Sequence, residues 1–350
     1  MSETFKPQTF DQSAQTKQIL CQVRNLTVSY KTRLGPVNAV DRVTFDIYSG
    51  EILGLVGESG SGKSTLGKAL MRMHPPPTET TGQIIFKGED IMKYDDDEMR
   101  DFRGRKVSMI FQDPMTSLNP VQRVDEHVVE AIQVHEPKTK TANALQRVSS
   151  LLERLGIAKR RLSSYPHHLS GGMRQRVMTG LGLVLNANLI IADEATTSLD
   201  VIVEAKLVDL LREIRDEFNV SILMISHNIA LVAEIADRIA VMYAGQLVEI
   251  GSVYEVFDKP LHPYTKGLLK SIPNIRLDEG EELYKMPGEP PNLTRPPQAC
   301  RFHPRCPERT SVSDKYEPPL IEASPGHWVK CWLYQDHPEK TNPTIKLDEE

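Results

Sequence analysis

The stretch Glu51-Ile-Leu-Gly-Leu-Val-Gly-Glu-Ser-Gly-Ser-Gly-Lys-Ser-Thr-Leu66 decides how the rest of the chain is read. Ile52 to Val56 is an apolar run of strand length, and the residues after Lys63 predict a helix. Between them lies a turn of small residues: Gly57, Ser59, Gly60, Ser61 and Gly62. Glycine adopts backbone angles closed to other residues, so the amides of such a turn can point inward around phosphate oxygens. The helix end that follows adds partial positive charge. Gly57, Gly62, Lys63 and Ser64 meet the pattern G-x-x-x-x-G-K-[ST] in full. In that pattern the lysine reaches the β- and γ-phosphates and the hydroxyl of Ser64 binds Mg2+, with Thr65 beside it. A chance glycine-rich turn would need neither the strand before nor the helix after. Alone, the motif fixes a nucleotide site and no more.

Composition narrows the setting. The chain has 350 residues, 39% of them hydrophobic, which allows one large domain or a domain with an appendage. A net charge of -5 argues against a broad nucleic-acid-binding face. No apolar run is long enough to span a bilayer. Met1 to Gln18 is polar and reads as a flexible lead-in, without the apolar core of a secretion signal. The expectation is a cytoplasmic protein that meets the membrane through a partner. Four cysteines in a chain of this length make no disulfide framework. Cys21, on a strand, reads as a buried small side chain.

Ile19 to Tyr30 and Val40 to Ile47 alternate apolar and polar residues, which predicts two strands of an antiparallel sheet around a turn at Gly35-Pro36. Tyr30 reads equally as a tyrosine packed on its own sheet or as an aromatic that stacks on adenine. Pro75, Pro76 and Pro77 stop helical structure, and Ile84 to Phe86 predicts a short strand. Asp95 to Arg105 has acids early and bases late, as suits a solvated helix. Val107 to Phe111 is a buried strand that ends at Gln112, an amide placed to bind Mg2+ and sense a γ-phosphate. Val124 to Val134 and Thr141 to Leu155 predict amphipathic helices. The second carries Leu145, Val148, Leu151, Leu152 and Leu155 at helical spacing. These helices form an inserted subdomain of about residues 113–175.

Leu169-Ser-Gly-Gly172 precedes another helical segment, with Ser170 as its N-cap. Gly171 and Gly172 permit close backbone approach, and the helix presents its positive end to an anion. Leu189-Ile-Ile-Ala-Asp-Glu194 is a buried strand with two acids at its end. Asp193 suits an Mg2+-supporting carboxylate, and Glu194 a base that polarises water. Ser198-Leu199-Asp200, a strand over Ser221 to Ile225, and His227 follow.

In this order the residues resemble the ATP-binding cassette (ABC) ATPase family across about residues 19–258. The resemblance implies an α/β P-loop NTPase core with a mixed sheet and flanking helices, an antiparallel β subdomain and the inserted helical subdomain. It makes Tyr30 the adenine-stacking aromatic and implies a head-to-tail dimer. In that dimer ATP lies between the phosphate loop of one unit and Ser170, Gly171 and Gly172 of the other. Lys63 and the loop amides then hold phosphates. Ser64 and Gln112 bind Mg2+ with Asp193 behind, Glu194 orients water, and His227 completes the γ-phosphate contacts. Ala195 departs from the family, which usually has proline after the glutamate.

Past Asp258 the composition shifts: fifteen of 24 prolines lie from Pro260 onward, so residues 259–337 read as a loop-rich extension and 338–350 as a polar tail. Leu261 to Leu269 opens a short helix. The "HPYT…LL", "PGEPP" and "C…F…P-R-C-P…C" elements resemble the C-terminal extension of ATPase subunits from dipeptide/oligopeptide importers, a group that also contains nickel importers. That resemblance implies two transmembrane permease subunits, a second and usually different ATPase subunit, a solute-binding protein, and residence at the cytoplasmic face of the membrane. Many members bind a [4Fe–4S] cluster through four cysteines here. This chain has Cys300, Cys306 and Cys331, with Ser313 at the fourth position. A cluster completed by serine, His303 or His327, a three-ligand metal site, and cysteines left to packing all remain open. Two other classes compete: a soluble ABC ATPase acting on DNA or the ribosome, and a non-hydrolysing regulatory module. The single cassette disfavours the first, and intact Lys63, Glu194 and His227 disfavour the second. The solute itself is not legible, because the ATPase does not touch it.

Overall fold

The computed structural model describes residues 18–111, 118–194, 201–272 and 284–337. Strands β1 (Ile19–Thr32) and β2 (Gly35–Tyr48) form the expected antiparallel hairpin, with Tyr30 opposite Val37. Strand β3 (Ile52–Val56) then leads to helix α1 (Lys63–Ala69), which ends before the three prolines. Strand β4 (Thr78–Phe86) pairs antiparallel with β1, and β5 (Glu89–Asp90) completes a four-stranded sheet in the order β2-β1-β4-β5. β4 begins six residues before Ile84, because Thr78 to Thr81 pair with Thr27 to Tyr30 despite their polar side chains. Helix α2 (Asp96–Arg105) starts in a capping box: Asp95 accepts from the Glu98 amide, and the Glu98 carboxylate accepts from the Asp95 amide.

Strand β6 (Val107–Ile110) enters the second sheet. The inserted helices are α3 (Val124–His135), α4 (Thr141–Arg154) and α5 (Gly171–Leu183). Along α4 the buried positions are Ala144, Val148, Leu151 and Leu152, while Leu145 is 40% exposed. Alanine and not Leu145 thus faces the neighbouring helices. The chain continues through β7 (Leu189–Asp193), α6 (Val201–Phe218), β8 (Ser221–Ser226), α7 (Ile229–Ile235), β9 (Arg238–Tyr243) and β10 (Gln246–Ser252). Helices α8 (Val253–Asp258) and α9 (Pro263–Lys270) follow, the latter where a short helix was expected. Strands β11 (Ile321–Ser324) and β12 (His327–Val329) come from the extension.

The second sheet runs β11-β12-β10-β9-β3-β8-β7-β6. From β9 to β6 the strands are parallel; β10, β12 and β11 are antiparallel. Much of the extension is loop, yet it also adds two strands to the core sheet, with Trp328 of β12 opposite Ile250 of β10. The central strands are buried on both faces, as parallel strands must be when covered on each side. Ile52, Val56, Ile190, Ala192, Ile222 and Met224 pack toward the helices. Their alternate neighbours Leu53, Leu55, Leu189, Ile191, Leu223 and Ile225 pack toward the antiparallel sheet and α1. This two-sided burial fixes register, because a one-residue slip would exchange the faces. The fixed register sets Val56 opposite Ser226 and Asp193 opposite Ile225, so the C-terminal ends of β3, β8 and β7 lie level.

Candidate nucleotide site

The level strand ends assemble the site. The loop leaving β3 carries positive φ at Gly57 (151°), Gly60 (77°) and Gly62 (104°). At two of these, space matters as much as angle: a Cβ on Gly57 would sit 2.1 Å from the Met242 carbonyl oxygen, and one on Gly62 2.1 Å from that of Ala39. A Cβ on Gly60 would meet nothing within 4 Å among the described residues. The loop is therefore pressed against β9 and β2, and Ser61 is further tied down by the Gly245 amide, which donates to its carbonyl at 2.9 Å. The Ser61 hydroxyl is buried with no hydrogen-bond partner among the described residues.

Lys63 curls over the loop. Its Nζ donates to the carbonyls of Gly57 at 2.8 Å and Glu58 at 3.0 Å, and its side chain is 3% exposed. Burial lowers its pKa, opposed by the charges of Glu194, Asp193 and Glu58. Ser64 Oγ donates to Asp193 Oδ1 at 2.7 Å. Burial raises the Asp193 pKa, and that hydrogen bond opposes the rise. Glu194 Oε1 lies 4.0 Å from Lys63 Nζ and Oε2 lies 3.9 Å from His227 Nδ1. Its backbone is left-handed, φ 46°, an angle that a side chain disfavours and that functional sites retain. His227 follows the end of β8 with its imidazole exposed.

Tyr30 is half-buried at the end of β1. Its hydroxyl lies 3.4 Å from Thr65 Oγ1 and 3.2 Å from His74 Nδ1, with the two rings edge to face. Ser170 caps α5 as its position suggested, accepting from the Met173 amide at 3.3 Å. Ser170 and Gly171 are exposed, and Gly172 is partly so. Gln112, Ala195, Ser198, Leu199 and Asp200 lie outside the described residues. Thus Lys63, Ser64, Asp193, Glu194 and His227 come together, while Ser170 opens a helix of the inserted subdomain. A lysine, a hydroxyl and a carboxylate in this arrangement suit a triphosphate and its Mg2+.

Sequence reasoning missed what stands behind the loop. The Glu58 amide donates to the Tyr264 hydroxyl at 2.9 Å, and Arg305 forms a two-pronged ion pair with the Glu58 carboxylate. Arg301 pairs with Asp41 at 2.6 Å. These partners are more than 200 residues apart in sequence. No local pattern announces them.

The cysteines have a different setting. Burial pushes the Cys306 and Cys331 thiols up to about 12 and raises Cys300 as well. Ser313 Oγ is 2.9 Å from Thr310 Oγ1 and accepts from the Thr310 amide at 3.0 Å. His327 Nε2 is 2.8 Å from Glu249 Oε1, and His303 Nδ1 is 2.8 Å from the Cys300 carbonyl. Ser313 is thus taken up by Thr310, while each histidine is bonded through one ring nitrogen. Among the described residues no group of three or more His, Cys, Asp or Glu is arranged to hold a metal ion. A cluster that needs four thiolates does not fit this donor set.

Taken together, the parallel strand ends and the residues on them define an ATP-binding cassette ATPase, an enzyme that uses ATP with Mg2+. Residues 40–197 match the ABC transporter family, and residues 248–312 match the oligopeptide/dipeptide transporter C-terminal region. The oligopeptide transport ATP-binding protein OppD of Bacillus subtilis is 43% identical over 93% of this chain and 91% of its own length. The dipeptide transport ATP-binding protein DppD of the same organism is 45% identical over 91% and 95%. Among solved structures, the ATP-binding cassette MJ0796, in a dimeric post-hydrolysis state bound to ADP and Pi, superposes with a TM-score of 0.60 at 26% identity. It covers 67% of this chain and 99% of its own. The chain belongs to the family of ABC transporter ATP-binding proteins that carry the oligopeptide/dipeptide C-terminal region.

Proposed function

We propose that this chain is the ATP-hydrolysing subunit of a membrane importer that takes up peptides. The peptide reading rests on the relatives' names and the matched C-terminal region. The observation that carries the ATPase assignment is the meeting of Lys63, Ser64, Asp193 and Glu194 at level strand ends.

The residues divide the work as follows. The amides of Ser59, Gly60, Ser61, Gly62, Lys63, Ser64 and Thr65 receive the phosphates, with Gly57 opening the turn and the Glu58 amide given to Tyr264, and Tyr30 takes the adenine. Ser64, Gln112 and Asp193 hold Mg2+, which supplies charge neutralisation on the phosphate oxygens. Glu194 orients and polarises the attacking water, and His227 contacts the γ-phosphate. Ser170, Gly171 and Gly172 face the nucleotide of a second ATPase subunit, with Asp200 at the same seam. Negative charge between two positive helix ends draws the subunits together, and hydrolysis weakens that contact. The second subunit is a related chain or another copy.

Among the described residues no helix is long and apolar enough to cross a membrane. The transport role therefore assigns passage to two permease subunits, with delivery by a solute-binding protein, and seats this chain at the cytoplasmic face. The role includes no nucleic acid. Within the extension we read Cys300, Cys306 and Cys331 as packing residues and not as cluster ligands, because three thiolates fall one short of the cluster set and Ser313 at the fourth position is bonded to Thr310. Iron analysis of anaerobically purified protein tests that reading: iron at four atoms per chain would reverse it, and trace iron supports it. For the transport role, reconstitution with the permeases tests the proposal, with ATP-dependent peptide uptake expected and its failure contradicting it.

A further inference from the structure

Glu58 sits inside the phosphate loop, yet the G-x-x-x-x-G-K-S pattern asks nothing of its side chain. In the structure it is gripped from the C-terminal extension. Arg305 Nη1 donates to Glu58 Oε2 at 2.9 Å and Nη2 to Oε1 at 3.0 Å. Two parallel bonds fix the plane of a carboxylate as well as its position, which one lysine cannot do. Arg305 is itself held. Its Nε donates to the Pro287 carbonyl at 2.9 Å, its Nη1 lies 3.3 Å from the Tyr243 hydroxyl, and its side chain is 6% exposed.

The main chain of Glu58 is held too. Its amide donates to the hydroxyl of Tyr264, which is fully buried at the start of α9. Its carbonyl accepts from Lys63 Nζ and from the Ser61 amide. The extension therefore fixes the side chain and amide of Glu58, and the loop's own residues fix its carbonyl. A loop with three glycines at positive φ has many conformations open to it, and each must be surrendered when a phosphate binds. A loop already held in place surrenders less.

We propose that Arg305 and Tyr264 are positioning residues for the phosphate loop, so that nucleotide affinity depends on these two residues of the C-terminal extension holding Glu58. This rests on Gly57 to Ser64 being the triphosphate cradle. Neither residue touches the nucleotide; both act through Glu58. Losing the grip therefore weakens binding and leaves turnover at saturating ATP unchanged.

The test is a titration of the full-length purified chain with Mg2+ and ATP, for wild type and variants. Arg305→Ala and Glu58→Gln each raise the ATP Kd about tenfold. The double variant is no weaker than either single one, because both remove the same contact. Arg305→Lys, keeping charge but only one prong, falls between. Glu317→Gln loosens a different clasp of the extension, the pairing of Glu317 with Arg42 and Gln246, and leaves the Kd unchanged. Lys63→Ala abolishes binding, which keeps the two readings apart: undiminished binding there would remove the cradle itself. In the reconstituted transporter Arg305→Ala raises KM and preserves kcat. Should Arg305→Ala not fold, Glu58→Gln on the partly exposed side of the contact carries the test. Kd values within twofold of wild type in both, or an equal loss in Glu317→Gln, would overturn the proposal.

Discussion

Ser64 Oγ and Asp193 Oδ1 meet at 2.7 Å, joining the first turn of α1 to the end of β7. β8 runs between β3 and β7, so the pair closes a gap that the backbone ladder leaves open. On the proposed function both oxygens serve the same Mg2+. Ser64→Ala should lower Mg2+-dependent ATP turnover by at least about a hundredfold, the scale on which electrostatic helpers of phosphoryl transfer act. The fold should lose only about 1 kcal/mol, the worth of one hydrogen bond. Turnover assays beside denaturant melts check both halves.

Glu194 is held at φ 46° with its carboxylate facing Lys63 and His227. Glu194→Gln keeps shape and removes the base. It should bind ATP with near wild-type affinity and hydrolyse it slower by a factor on the order of 10² to 10⁴ in the assembled transporter. Wild-type turnover in that variant would take the base role away from Glu194.

The loop glycines should separate by the space behind them. Gly57→Ala and Gly62→Ala each drive a methyl group against a backbone oxygen that cannot move aside. Gly60→Ala faces open space and bears only the strain of φ 77°. Gly60→Ala should cost about 1 kcal/mol, and the other two should lose ATP binding or fold. Urea unfolding with ATP titration ranks the three; Gly60→Ala as the most damaging would contradict the geometry.

His262 supplies a pH prediction. It is buried, and its Nδ1 accepts from the Tyr264 amide as the N-cap of α9, which requires the neutral ring. Burial lowers its pKa to about 4, with the nearby Glu249 charge opposing. A folded pKa below the unfolded one contributes stability that is complete above about pH 6.5. That contribution falls away as pH drops toward 4. The shift corresponds to about 3 kcal/mol. His262→Asn keeps a capping side chain without titrating there. Urea midpoints measured from pH 7 to pH 4 should therefore fall more steeply in wild type than in the variant.

The motifs were legible because each sits at a fixed distance from a strand of uniform hydrophobicity. Asp193, Glu194 and His227 could be placed at strand ends before any contact was known, and Ser170 as an N-cap. The buried edge of α4 was not legible: a 3.6-residue period admits either Leu145 or Ala144, and packing density chose the smaller residue. The start of β4 was hidden by its polar threonines, whose pairing with β1 is set by the backbone. Nor could β11 and β12 be foreseen joining β10, since short strands pair by position in space and leave little period to read. The contact of Arg305 with Glu58 spans 247 residues, and an ion pair over that distance has no sequence signature.

The central claim is that the helix end at Ser170 completes a nucleotide site on a second subunit. A structure of the transporter carrying Glu194→Gln, trapped with Mg2+ and ATP, measures it most directly. The expected result is Ser170 Oγ and the Gly172 amide of one subunit within hydrogen-bond distance of the γ-phosphate cradled by its partner. Ser170 turned away from every γ-phosphate in such a closed assembly would contradict the account.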